Sequence, residues 1–545
     1  MGVAARWLST VGALAVLGWA APLIGGALPA AGASVPGGFP VTPPVAVCAN
    51  AALLSGPSSA PAGSVIVAAG DNSAVNWNRP GVTFWFAPGT HTLGSGQYSQ
   101  IMPPANSVFV GAPGAVIDGQ GINQYAFTQT AAGVTIRYLT IQGFVAPRDQ
   151  GVVNHDSGAN WAITNNTITG NAGAAVMVGP GDVLSYNCLK ANGQYGFSAY
   201  LRTAANTNIT VDHNEITANN TGNWDVVIPG CGCVGGGKLW NTIGGKVTNN
   251  WIHNNIGPGI WADTNNAAIV IDGNYIADND DEAVIYETSY NAAITNNNLI
   301  RNAIVKGKSF AAQGTNFPVA AIYISESGGD SRVDAGLYAT MNISGNSLTD
   351  NWGGVTLWEN ADRFCGSPAN TSATFCTMGN PTVANFNTCV AGTINNAPYF
   401  ADCRWKTQNV SVHDNQMAFS RANVGCSGTT AGCGVQAIVS NYGSSPNWSP
   451  YMGTAVQSAI TYQQGNRFTN NTYTGDWQFV AFQPGAVVSF AAWQAGPNSQ
   501  DAGSSLNAPA PAPAPPPAPT PPPPASDPLS ALLAGLGALL GHLHL

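Results

Sequence analysis

The feature that most limits how this chain can fold is a six-residue repeat, Asn-x-(Ile/Leu)-x-x-Asn. It begins at Asn166 (NTITGN), Asn214 (NEITAN), Asn250 (NWIHNN), Asn274 (NYIADN), Asn297 (NNLIRN) and Asn346 (NSLTDN), with weaker copies at Asn187 (NCLKAN) and Asn466 (NRFTNN). Neighbouring copies are separated by 24 residues from Asn250 to Asn274, 23 to Asn297, and 21 from Asn166 to Asn187. These periods are too short for the helix pair of a tetratricopeptide unit and suit one coil of a β-solenoid.

In such a coil two or three short strands turn inward residues such as Ile252 and Ile260 onto their equivalents in the next coil. Asn at the corner hydrogen-bonds the backbone of neighbouring turns, so the column of Asn is first a stacking device. Composition agrees. Only 8% of residues are charged, the formal net charge is −9, and polarity comes from Asn, Thr, Ser and 65 glycines. The basic footprint of a nucleic-acid binder is missing. Neither a phosphate loop between strand and helix nor a GxSxG elbow is found, which leaves nucleotide and α/β-hydrolase chemistry without support.

The stretch GGGKLWNTIGGKVTNNWIHNNIGPGIWADTNN, followed by EAVIYETSYNAAITNNN, resembles secreted bacterial right-handed parallel β-helix proteins of the pectate-lyase-like kind. The entry segment GVTFWFAPGTHTLG and VGAPGAVIDGQ is similar to the first strands of such proteins. The resemblance implies an all-β, single-stranded right-handed parallel β-helix over residues 64–497, acting on polysaccharide, and the repeat itself suggests about ten coils. It is specific for fold and weaker for reaction. QYGFSAY, residues 194–200, resembles the Tyr-Gly-Phe/Ile-Asp-Pro-His stretch of mannuronan epimerases. Ser198 and Tyr200 stand at its acid and histidine positions, so that activity is not transferred.

The repeat accounts for Asn but does not require acids. Thirteen residues after the first Asn of their copies stand Asp263, Glu287 and Glu359, and Glu326 ends the similar strand AIYISE between the last two. The same position holds Gly179 and Tyr200 in earlier coils, so acidity is confined to the middle. Stacked coils put equivalent residues about 4.8 Å apart. Two carboxylates at that distance repel by roughly 3 kcal/mol at an effective dielectric of 20, a cost with no evident structural use. Asp263, Glu287, Glu326 and Glu359 are therefore the leading catalytic candidates.

Two chemistries fit. In a lyase, a divalent cation such as calcium on Asp263 and Glu287 would neutralise a uronate carboxylate while Lys238 or His253 removes a proton. In a hydrolase, one carboxyl would protonate the leaving oxygen and another attack or activate water. Trp261, Tyr290 and Trp358 lie on or beside the acid-bearing strands and are candidate sugar platforms, whereas alternation from Glu287 points Tyr286 inward. His155 and Asp156 form a more distant second candidate. The rival to an enzyme is a non-catalytic glycan-binding or adhesion protein of the cell envelope.

The ends read separately. Residues 1–33 form a signal peptide closing at Ala33 and 34–63 a linker, which places the body, expected as a monomer, outside the cytoplasm. Residues 360–460 read as an irregular cysteine-containing insertion, 498–527 as a Pro/Ala-rich spacer, and 528–545 as an apolar tail suited to cell-envelope attachment. In an oxidising compartment Cys365 with Cys376, Cys389 with Cys403, and Cys426 with Cys433 suggest local staples, while Cys231 and Cys233 look too close to pair with each other.

Overall fold

The buried faces of this chain stack in columns. Ile136, Ile163, Leu184, Val211, Val247, Ile271, Ile294, Ile343 and Val412 occupy consecutive in-register positions and are all fully buried. A computed structural model describes residues 42–201, 204–331, 333, 340–361, 396–397, 405–441 and 456–507. All belong to the compact unit Met1–Pro509; a second unit, Ala510–Leu545, contains none of them. The expected signal peptide, the apolar tail, and Cys365, Cys376, Cys389 and Cys403 lie outside the described residues.

Among the described residues the chain winds through three sheets. A first sheet runs from Val65–Val67 to Arg467–Thr469 and a second from Gly70–Asp71 to Ser505–Asn507, past the expected end at 497. A third runs from Gly151–Val153 to Gln478–Phe482 and is closed by the antiparallel strand Val487–Val488. From Thr135–Arg137 onward a coil contributes one strand to each sheet in turn, as with Ala162–Thr164, Thr167–Thr169 and Ala174–Met177, whereas the coils before it supply only the first two sheets. The architecture is a parallel β-helix. Thirteen strands follow one another along the first sheet, against about ten coils expected, because the first coils lack the Asn motif. They stack aromatic rings instead: Phe84 and Phe109 lie 5.2 Å apart at 7°.

The hexapeptide spells two corners at once. Its first Asn forms a buried column, Asn166, Asn187, Asn214, Asn250, Asn274, Asn297, Asn346, Asn415 and Asn471, between the first and second sheets. Its second Asn forms another, Asn171, Asn192, Asn219, Asn255, Asn279, Asn302 and Asn351, after the second sheet. Asn274 is typical. Its Nδ2 donates to Asn297 Oδ1 at 3.0 Å and to Val247 O at 2.8 Å, and its Oδ1 accepts from the backbone N and Nδ2 of Asn250. A buried amide so fully used costs little to keep and much to remove.

Two expectations change. In the copy at Asn466 it is Asn471, the last residue of the motif, that stacks on Asn415; Asn466 serves the corner before the first sheet, where its Oδ1 accepts from Val410 N at 3.2 Å. Residues 360–460 are not one insertion either, since Val410–His413, Gln416–Phe419 and Val435–Asn441 extend the three sheets.

Candidate functional site

Alternation along the third sheet builds the site. In Ile260–Asp263, Ile260 and Ala262 are fully buried while Trp261 and Asp263 face outward and are part-exposed. Two outward columns result. One runs Ser198, Lys238, Trp261, Ile285, Tyr323, Thr356. In the other Trp240 opposes Asp263, and Glu287 opposes Ser325, which opposes Trp358. Ala262 pairs with Tyr286, so Asp263 and Glu287 are the next outward neighbours on adjacent strands.

Lys238 Nζ lies 2.9 Å from Asp263 Oδ2 and 4.0 Å from the centre of the Trp261 ring, and it donates to Gly232 O. Asp263 Oδ1 accepts from Thr264 Oγ1 at 2.8 Å. Trp261 Nε1 donates to Glu287 Oε2 at 3.1 Å, and Glu287 is 8% exposed. One side-chain network thus joins a cation, an indole and two carboxylates on three consecutive strands. The glycines before Lys238 serve packing: a Cβ on Gly237 would fall 2.1 Å from the Phe197 ring, and Gly235, at φ +126, faces Pro258 O.

Aromatic pairs bracket this centre. Tyr200 and Trp240 stack at 4.5 Å and 20° on one side. Tyr323 and Trp358 stack at 6.2 Å and 25° on the other, with Phe317 edge-on to Trp358 at 5.5 Å. Of these only Trp358 was a candidate from sequence. Alternation from Lys238 already places Trp240 outward, and Tyr200 holds the acid position of its own coil.

The remaining candidates fall elsewhere. Glu326 and Glu359 are fully buried, one residue beyond the column of Glu287. The turn from Asn351 to Val355 is one residue shorter than that from Asn279 to Val284, and both valines pair with Ile322. A fixed count of thirteen therefore overshoots: Trp358 occupies the column of Glu287, and a one-residue slip changes the face. Glu326 Oε1 accepts from Asn360 N at 2.6 Å, and Glu359 Oε2 from Thr407 N at 2.8 Å and Gln464 Nε2 at 2.7 Å.

Tyr290 is fully buried because the corner at Thr288 and Ser289 has already left the third sheet. It opens the first-sheet strand Tyr290–Thr295, packs on Trp405 at 5.2 Å, and its hydroxyl oxygen accepts from Lys406 N. Tyr286 points inward as expected and is fully buried, which pushes its phenol far above the usual range. His253 faces outward, but between two Asn columns and therefore on the second sheet, where it stacks on Trp251 at 4.2 Å and meets Glu215 at 3.3 Å. His155 stacks on Tyr125 at 3.9 Å, and burial lowers its pKa. It follows Gly151–Val153, five strands before Val284–Glu287 in the third sheet.

Cysteine pairing also differs. Cys426 bonds Cys433 as expected, but Cys231 bonds Cys233 despite their closeness, with Gly232 between them at φ +60. Cys48 bonds Cys188 across 140 residues, tying the segment expected to be a linker to the second sheet. Among the described residues no group of three or more His, Cys, Asp or Glu is placed to hold a metal ion.

Known proteins were compared with the chain. No curated protein matches the sequence significantly. Among solved structures, the A-module of mannuronan C-5 epimerase AlgE6 from Azotobacter vinelandii is 15% identical, with 80% of this chain and 91% of that one covered at a TM-score of 0.40. A mannuronic acid specific polysaccharide family 6 lyase from human gut microbiota is 10% identical, covering 79% and 87% at 0.38. The catalytic domain of a GH87 alpha-1,3-glucanase is 13% identical, covering 51% and 59% at 0.31. What the site can do follows from its own side chains. Residues 150–335 match the family model described as the right handed beta helix region, and the chain has the right-handed parallel β-helix fold.

Proposed function

We propose that this protein is a carbohydrate-active enzyme that cleaves a polysaccharide lying along the outward face of the third sheet. The observation that carries the reading is the order of that face: an aromatic pair, a Lys, Trp and two-carboxylate centre, then a second aromatic pair. Flat rings suit the apolar faces of sugars, and two such platforms flanking acids define a track with a reacting point in its middle.

Hydrolysis is the favoured reaction. Neighbouring strands lie about 4.8 Å apart, near the separation of about 5 to 5.5 Å between the carboxyl groups of retaining glycosidases. Glu287, shielded and held by the Trp261 indole, is assigned the proton transfer to the leaving glycosidic oxygen. Asp263, held by Lys238, is assigned the attack on the anomeric carbon; water then releases the sugar, with Glu287 taking back a proton.

Lys238 favours a second reading, proton abstraction by a lyase, because it is a potential base within the same contacts. Asp263 and Glu287 alone do not fit a resident calcium ion, which takes six to eight oxygen ligands: Lys238, Thr264 and Trp261 already occupy three of their oxygens. Export fits the same reading, since the Cys48–Cys188 and Cys426–Cys433 bonds suit an oxidising compartment.

The test is a screen of the chain against neutral and uronate-containing polysaccharides, with and without calcium, recording reducing ends and the ultraviolet absorbance of a new C=C bond. Reducing ends without absorbance, lost in Glu287→Gln, are expected. Absorbance gained with cleavage would replace hydrolysis by elimination. Absence of cleavage, with wild type and variant binding the same glycans equally, would make this a non-catalytic glycan-binding protein.

A further inference from the structure

Between Asn219 and the strand Gly237–Trp240 the chain makes a long excursion, where the next coil passes from Asn255 to Ile260 directly. The coil does not need this loop. Its far end carries the Cys231–Cys233 disulfide, packed against Ala174, Tyr195 and Trp224. Gln194 Nε2 donates to Cys233 O at 3.0 Å, fixing the loop to the coil before it.

The bond closes a loop of sequence separation 2, against 7 for Cys426–Cys433 and 140 for Cys48–Cys188. A crosslink restricts the unfolded chain less as its loop shortens, so this one has the least to offer global stability. Its local effect is specific. Gly232, held between the two sulfur-bearing residues at φ +60, turns its carbonyl to Lys238 Nζ and accepts from the Tyr195 hydroxyl at 3.4 Å. The fit leaves no slack: a Cβ on Gly232 would stand 3.2 Å from the Trp261 ring and 3.6 Å from Lys238 Nζ. Lysine has a four-carbon stem with several rotamers, and a lone carboxylate at a part-exposed site holds it poorly. The carbonyl, the indole face and Asp263 together surround the ammonium on three sides.

We propose that the Cys231–Cys233 disulfide is a positioning element of the active site: it holds the Gly232 carbonyl on Lys238 and so fixes the ammonium against Asp263. Cys231, Gly232 and Cys233 act through Lys238 and do not touch substrate. The proposal rests on the enzymatic reading of the third-sheet face, and its test has one arm that needs no substrate.

In the full-length chain, Cys231→Ser with Cys233→Ser is compared with wild type and with Cys426→Ser plus Cys433→Ser. The first readout is the rate of reductive methylation of Lys238 followed by peptide mass spectrometry, with exposed Lys246 as internal reference. The 231/233 variant should methylate Lys238 at least about 5-fold faster, with Lys246 unchanged and the 426/433 variant like wild type. The second readout is kinetic: kcat should fall about 10-fold with KM within about 2-fold, and the loss should vanish in a Lys238→Met background. An unchanged Lys238 rate, equal acceleration in both disulfide variants, or a kcat loss that persists without Lys238 overturns the proposal. A wild-type chain that cleaves no glycan defeats the enzymatic reading instead, and is recognised by that silence whatever the methylation rates.

Discussion

The second and third sheets each present an outward acid, a basic side chain and a tryptophan, yet they use them differently. On the second sheet Glu215 Oε2 accepts from Val47 N and Cys48 N, both at 2.8 Å, while Oε1 meets His253. Cys48 is bonded to Cys188, the strand neighbour of Glu215. That carboxylate clamps the chain's own N-terminal segment. On the third sheet Asp263 and Glu287 are held by the side chains of Lys238, Thr264 and Trp261, which can rearrange around a ligand. An acid held by backbone N–H groups is framework; one met by movable side chains on the outward face of the third sheet is the candidate for chemistry. Glu326 and Glu359 fall with Glu215 by this criterion.

The largest effect should come from crossing that line. Glu287→Gln should lower kcat/KM by about 10³-fold, within the 10² to 10⁴ range of general acid–base groups, and Asp263→Asn, which removes the nucleophile, by at least as much, while the melting temperature stays near wild type. Glu359→Gln should do the opposite, lowering the melting temperature and leaving kcat per folded molecule intact. Steady-state kinetics beside thermal melts decide this, and a catalytically dead but fully stable Glu359→Gln would break the comparison.

Next in size is the corner itself. Asn274→Ala strands the backbone N–H and Nδ2 of Asn250 and the carbonyl of Val247, all buried. The expected cost is about 3 kcal/mol, read as a shift in the denaturation midpoint. An equal cost for Thr264→Ala, at the edge of the face, would show that the corners are no stiffer than the site.

This contrast also explains what could be read beforehand. The Asn repeat was legible as one stacking column because a buried amide must find its partners one coil away, and only a strict repeat provides them; that the motif's second Asn builds a second column emerged from the structure. The acids were legible as a cluster but not as a column, since one residue fewer between Asn351 and Val355 moves Glu359 off the face, and nothing local marks that deletion. Tyr290 was misplaced because the corner before it decides its sheet. Cys48–Cys188 was invisible for another reason: it depends on where a non-repeating segment crosses the coils. Cys231–Cys233 looked excluded by closeness, which the left-handed Gly232 relieves.

The clamp should show in acid. Burial disfavours ionised Glu215, but hydrogen bonds from His253, Cys48 N and Val47 N outweigh it and hold its pKa below the usual glutamate value. A carboxyl lowered in the folded state contributes stability that is complete above its unfolded value, about 4.3, and is lost as pH falls through the lower folded one. Glu215→Gln should cost about 2 kcal/mol at pH 7, the scale of hydrogen bonds to a charged group. Its stability should then fall less steeply than wild type below about pH 4.3. Parallel acid-melting curves would remove Glu215 from the clamp.

The smallest effect concerns the platforms. Trp358 stands two strands from Glu287 in the same outward column, about 10 Å away at the spacing of neighbouring strands. It rests on the apolar cluster of Val435, Ala437, Val439 and Val480, so it extends the track away from the acids without joining their network. Trp358→Ala should raise KM by about 3- to 10-fold, the worth of one aromatic stacking contact, with kcat unchanged. Substrate length sharpens the point, because an oligosaccharide too short to reach Trp358 should not distinguish wild type from variant. A matched fall in kcat for short and long substrates would place Trp358 among the supports of Glu287. The third sheet would then be a packed framework like the second, differing only in exposure.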